Sequence, residues 1–133
     1  MKSLSILLVF TSIFIVSCTK ECPAPAYSIN GLWIGTYLAD KHPEQPPLYF
    51  SFIVKPDGKL IVESQANGKS FQAYGTWKMS NNKFEGDYTY PVTPNGGSMT
   101  QEAIADFEEE GKLSNGKWTD IGGTGTFKME RVN

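Results

Sequence analysis

The chain is short of the residues that carry most enzymatic chemistry. It holds one histidine, His42, and two cysteines, Cys18 and Cys22. His42 lies in Asp40-Lys41-His42-Pro43-Glu44-Gln45-Pro46-Pro47, a proline-rich stretch with no nucleophile or ligand set around it. General acid–base work needs a base held by a partner, so this histidine reads as a solvated loop residue. Cys18-Thr19-Lys20-Glu21-Cys22 has no second ligand pair with which to hold zinc. Glu108-Glu109-Glu110 lacks the spaced oxygen donors of a calcium loop and reads as a charged hairpin tip. Neither sign of charge dominates: 12 Lys and Arg stand against 14 Asp and Glu, for a net charge of −2. Scattered, weakly acidic charge gives no electrostatic case for a nucleic-acid partner. No apolar run is long enough to cross a bilayer as a helix, which takes about 20 residues. No stretch sustains helical periodicity either. These gaps predict a protein that is not an enzyme and has no cofactor and no metal site.

The first residues are distinctive. Lys2 is followed by an apolar run from Ile6 to Val16, broken only by Thr11 and Ser12. This has the length of a signal-peptide core. Ile15-Val16-Ser17-Cys18 then resembles the lipobox of bacterial lipoproteins: an aliphatic residue, a tolerant position, a small residue and the cysteine that is lipidated. Val16 stands where a smaller residue is commoner. An ordinary secretory signal would also be apolar, but it has no need of a cysteine directly after the small residue. The resemblance implies a helical signal peptide over 1–17, lipidation at Cys18, and membrane attachment through the lipid anchor. Two or more acyl chains make such attachment stable. Residues 18–28 form an extended tether, stiffened by Pro23 and Pro25. Cys22 reads as an unpaired thiol within it. The location expected is the cell envelope, on the outer membrane.

From residue 29 to 133 the pattern changes to short alternating runs, at about 30–39, 48–55, 59–65, 70–79, 83–91, 99–108, 112–120 and 123–132. Between them lie Pro56-Asp57-Gly58, Asn67-Gly68, Asn81-Asn82 and Glu110-Gly111, residues that tolerate the positive φ of tight hairpins. One face of each run is apolar. Phe71, Ala73, Gly75, Trp77 and Met79 oppose Gln72, Tyr74, Thr76 and Lys78. Phe84, Gly86, Tyr88 and Tyr90 oppose Glu85, Asp87 and Thr89. Phe127, Met129 and Arg131 oppose Thr126, Lys128 and Glu130. One apolar face per strand predicts an all-β domain, a small eight-stranded antiparallel up-and-down barrel that leaves no open edge. A two-sheet sandwich would show the same alternation.

Gly31-Leu32-Trp33 near the start and Arg131 near the end bear on this choice. They resemble the calycin superfamily of lipocalins and avidin-like proteins, in which a G-x-W places an indole in the closed end of the barrel and a late basic residue packs across it. The resemblance spans about residues 29–133 and implies a lipocalin-like barrel closed by Trp33 and Arg131. Short strands and loops set the chain apart from typical lipocalins, and the biotin-holding residues of avidins have no counterpart here.

Trp33, Trp77 and Trp118, with Tyr37, Tyr88 and Tyr90, would either line a pocket or fill the barrel solid. Parity and position put Tyr37, Phe50, Phe71, Tyr90 and Ala103 inward toward the open end, as a ligand pocket. The expected function is a membrane-anchored lipoprotein binding a small apolar ligand. The alternative is an envelope-anchored interaction protein or inhibitor that acts through its outer surface, with Tyr49, Tyr74 and Ile104 as contact residues. Anchoring is tested directly by Cys18→Ser, which is expected to move the protein from the membrane fraction of its host to the soluble fraction. Equal fractionation of both forms would refute it.

Overall fold

The computed structural model describes residues 27–133. The signal peptide, Cys18, Cys22 and most of the tether lie outside the described residues. Eight strands follow in order: β1 Gly31–Ala39, β2 Leu48–Val54, β3 Lys59–Ala66, β4 Lys69–Ser80, β5 Lys83–Tyr90, β6 Met99–Glu108, β7 Lys112–Asp120 and β8 Gly123–Arg131. Each pairs antiparallel with its neighbour in sequence, and β8 pairs back onto β1 to close a barrel. The structure is therefore the meander barrel and not the sandwich, an architecture consistent with a calycin-type barrel.

Turn chemistry explains the meander. Asn67 and Gly68 both take positive φ, 52° and 70°, as do Asn81 and Asn82 at 49° and 59°. Two consecutive positive φ values are what a two-residue hairpin of the I′ kind requires, because its twist matches that of the strands. Gly58 at φ 81° ends the β2–β3 turn, where Gly58 N–H donates to the Lys55 carbonyl at 3.2 Å. One irregularity matters later. In β7 the register slips between Leu113 and Gly116, with Asn115 at φ 51°. This β-bulge is pinned from outside: Asn115 Nδ2 donates to Asp106 Oδ2 at 3.0 Å, and Lys83 Nζ donates to Asp106 Oδ1 at 2.5 Å. These contacts, the Lys83 bond first, hold the Asp106 carboxyl below its ordinary pKa.

The end of the barrel that holds the β2–β3, β4–β5 and β6–β7 turns is filled. Trp33, Phe52 and Phe84 are wholly buried. Phe52 and Phe84 stack at 5.5 Å, Trp77 and Phe84 at 6.4 Å, and Phe107 meets Trp33 edge-on at 6.0 Å. Both indoles at this closed end have their N–H groups satisfied. Trp33 Nε1 donates to the Ile29 carbonyl and Trp77 Nε1 to the Lys55 carbonyl, each at 2.7 Å.

Arg131 stands directly opposite Trp33 across the β1–β8 seam. Its guanidinium donates from Nε and Nη2 to the Asn30 carbonyl at 3.2 and 2.9 Å, and its Cζ lies 5.5 Å from the Tyr27 ring centroid. The cation–π contact it makes is thus with Tyr27, where the sequence suggested the Trp33 indole. Trp33 gives its indole N–H to the Ile29 carbonyl and meets Phe107 at 75°. Tyr27, assigned to the tether from sequence, is held to the barrel instead: its N–H donates to the Glu109 carbonyl at 3.2 Å. Gly31 completes the arrangement. It sits at φ +133°, and an added Cβ would lie 2.8 Å from Arg131 Nη2. Trp33→Ala is expected to cost about 3–5 kcal/mol of unfolding free energy in a urea titration, the usual range for a buried tryptophan. Gly31→Ala is expected to destabilise as well, through backbone strain and displacement of the guanidinium.

Candidate functional site

The other end of the barrel is not filled. There the strands leave a cavity of about 230 Å³ whose walls include Tyr37, Phe50, Phe71, Tyr90 and Trp118. The loop from β5 to β6 contributes Thr93 and Pro94 at the rim, and small Ala39, Ser64 and Ala66 leave space between the rings. Alternation along each strand aims these side chains inward. Tyr37 meets Phe50 at 5.3 Å and 59°, and Trp118 at 6.2 Å and 81°. The rings therefore wall a corner and not a flat slot. Trp118 reaches its place because Gly125, opposite it in β8, has no side chain: a Cβ there would lie 2.6 Å from the indole.

Four of the five residues expected from sequence, Tyr37, Phe50, Phe71 and Tyr90, come together in this cavity. Ala103 does not. It is buried in the core directly across from Trp118, and the inward β6 residues at the cavity are Gln101 and Met99. Of the wider aromatic set, Trp33 and Trp77 belong to the closed end, and Tyr88 lies in the core. His42 is exposed on the outer side of the rim, 3.6 Å from Glu44. The sequence reading missed a polar pair, Gln101 and Asp120, which face each other across β6 and β7. Gln101 Nε2 donates to Asp120 Oδ2 at 2.7 Å, and Gly122 N–H donates to Asp120 Oδ1 at 2.6 Å. Among the described residues Asp120 is the only charged one in the lining.

Hydrogen bonding is incomplete at this end. Trp118 Nε1 and the Tyr88 hydroxyl are buried without a partner among the described residues. Each such group costs about 1–3 kcal/mol. Tyr37 is satisfied, its hydroxyl donating to the Gln65 carbonyl at 2.9 Å. Burial pushes the phenols of Tyr37, Tyr88 and Tyr90 above their ordinary range, with a Ser64 hydrogen bond opposing the shift at Tyr90. All three are neutral at physiological pH. No protein-family model matches the chain, and no curated protein matches it either.

The phenol shifts fix the alkaline behaviour. Native tyrosines whose pKa is raised keep their protons where unfolded ones lose them, so stability is whole below the unfolded value of about 10 and falls as pH rises beyond it. The urea midpoint is expected to drop steadily above about pH 10. Tyr88→Phe should shrink that drop, with little loss of stability at pH 7 because its hydroxyl has no partner to lose. An unchanged alkaline profile in Tyr88→Phe would contradict the assignment.

Proposed function

We propose that the protein is a lipid-anchored component of the bacterial cell envelope whose lipocalin-like barrel binds a small apolar or aromatic molecule in its open end, without turning it over. The observation that carries this reading is the cavity of about 230 Å³ walled by five aromatic rings. Apolar walls with a few convergent polar groups are the usual form of a small-molecule site. The volume falls below the roughly 300–1,000 Å³ of sites for drug-sized ligands. At about 30 Å³ per water-sized group, it suits a ligand of about eight non-hydrogen atoms. Anchoring is supported by Ile15-Val16-Ser17-Cys18, and the outer membrane is the location proposed.

The anchor and the cavity would sit at opposite poles. The chain meets the barrel at Tyr27, beside Gly111 in the β6–β7 turn of the closed end. A short tether entering there would favour the closed end facing the bilayer, with the mouth away from it. On this reading the ligand comes from the aqueous side and is not drawn from the anchoring membrane.

A second reading, an interaction protein acting through its outer wall, has its own support. Leu32, Ile53, Ile61 and Tyr74 are successive cross-strand partners on the outside of β1 to β4. Leu32, Ile53 and Tyr74 are 36%, 42% and 54% exposed. Of the three contact residues expected from sequence, this stripe includes Tyr74. Tyr49 is only half-exposed, and Ile104 lies apart on β6 between Glu85 and Lys117.

Titration with a small environment-sensitive apolar fluorophore distinguishes the two. Saturable binding is expected, lost at least tenfold in Ala66→Trp, which fills the mouth, and unaffected by Tyr74→Ser on the outer wall. Absence of saturable binding to the wild type would retire the carrier reading and leave the outer stripe ahead.

A further inference from the structure

The cavity's chemistry is more specific than its size. Among the described residues its lining contains one carboxylate, Asp120, and no lysine, arginine or histidine. Lys41, at the rim, gives its ammonium to the Gly122 carbonyl. A carboxylate ligand would therefore meet a like charge with no counter-ion among the walls. A neutral ligand would leave the Asp120 charge unused. An organic cation would use both features of the site.

We propose that the ligand is a small organic ammonium compound, its cationic group set between the Asp120 carboxylate and the aromatic rings. This rests on the ligand-binding reading above and names its ligand class. Aromatic faces carry negative potential and attract cations held within about 6 Å of the ring centroid. Tyr37, Phe50 and Trp118 meet at steep angles, so the walls surround a compact group from several sides. Asp120 is held ready. Its two oxygens are fixed by Gly122 N–H and Gln101 Nε2, and each carboxylate oxygen retains a lone pair for a ligand N–H. Gln101 spends an N–H on Asp120, which leaves its carbonyl oxygen as a further acceptor. The Asp120 carboxylate and the Gln101 carbonyl are acceptors, which matches an ammonium donor. The unpartnered Trp118 N–H serves a separate purpose: it would meet an acceptor, such as a hydroxyl or carbonyl, on the body of the same molecule.

The test uses three ligands of nearly one shape: phenethylammonium, 2-phenylethanol and phenylacetate, titrated calorimetrically into the lipid-free domain and into the full chain in detergent. Phenethylammonium should bind at least tenfold more tightly than the alcohol, and phenylacetate most weakly. Raising the salt concentration should weaken the amine alone, since only its binding includes a charge pair. Asp120→Asn keeps an oxygen for Gly122 N–H and should reduce amine affinity about tenfold while leaving the alcohol unchanged. If that variant melts early, the salt dependence of the wild type decides in its place. Equal affinity for amine and alcohol, insensitive to salt, overturns the cation assignment and leaves the cavity reading intact. Failure of all three ligands while the apolar fluorophore still saturates does the same. Failure of the fluorophore as well overturns both.

Discussion

The pairing of β8 back onto β1, from Trp33 opposite Arg131 to Ala39 opposite Gly125, closes the sheet on itself. Closure removes both edges that an eight-strand meander would otherwise expose to other chains. It also sets a packing problem, because an eight-stranded barrel has an interior just wide enough for side chains to fill or for one small ligand. The two ends solve this differently. At the closed end large rings meet in the middle, and the chain's entry is clamped by the seam itself. Arg131 in the last strand holds the Asn30 carbonyl and the Tyr27 ring that precede the first. At the open end small residues, Ala39, Ser64 and Ala66, stand between the rings and leave the space the site occupies.

The indoles of the two ends differ in polar satisfaction. The indoles at the closed end each donate to a backbone carbonyl at 2.7 Å. The indole at the open end has no such acceptor, and the Tyr88 hydroxyl beneath it has none either. An interior selected for stability alone would replace these groups with apolar ones, because an unpartnered buried donor costs more than its absence. Among the described residues two of the three such side-chain groups, Trp118 Nε1 and the Tyr88 hydroxyl, belong to the open half; the third, Asn30 Oδ1, lies at the closed end on the residue whose carbonyl Arg131 holds.

Much of this was legible in the sequence. Strict alternation in 70–79 and 83–91 is visible without coordinates, and the Asn-Gly and Asn-Asn turns fix hairpins of defined twist. Strand count, order and most of the inward aromatics follow from that. What was not legible depended on rotamers and on register. Parity places Arg131 on the same face as Trp33, but it cannot say that the guanidinium passes over Gly31 to Tyr27. Parity likewise counted Ala103 into the pocket because it is apolar and inward. Depth along the barrel is set by the stagger between β6 and β7, and that places Gln101 at the mouth and Ala103 below it. Asp120 was hidden most completely, since hydrophobic alternation has no means of nominating an inward carboxylate.

The bulge in β7 is the reason. Leu113 faces the core opposite Met129, and Gly116, three residues on, faces it opposite Phe127. One extra residue has been inserted, with Asn115 at positive φ absorbing it, so inward parity passes from odd to even numbers. A regular strand beginning at Leu113 would aim Lys117 and Thr119 into the mouth and turn Trp118 and Asp120 outward. The cavity would then lack its indole and carry a positive charge. Asp106, bound by Asn115 and Lys83 on the outer wall, holds the bulge in place. A hydrogen-bonded cluster on the outside of the barrel thus sits at the bulge that sets which β7 side chains, and which charge, face the cavity.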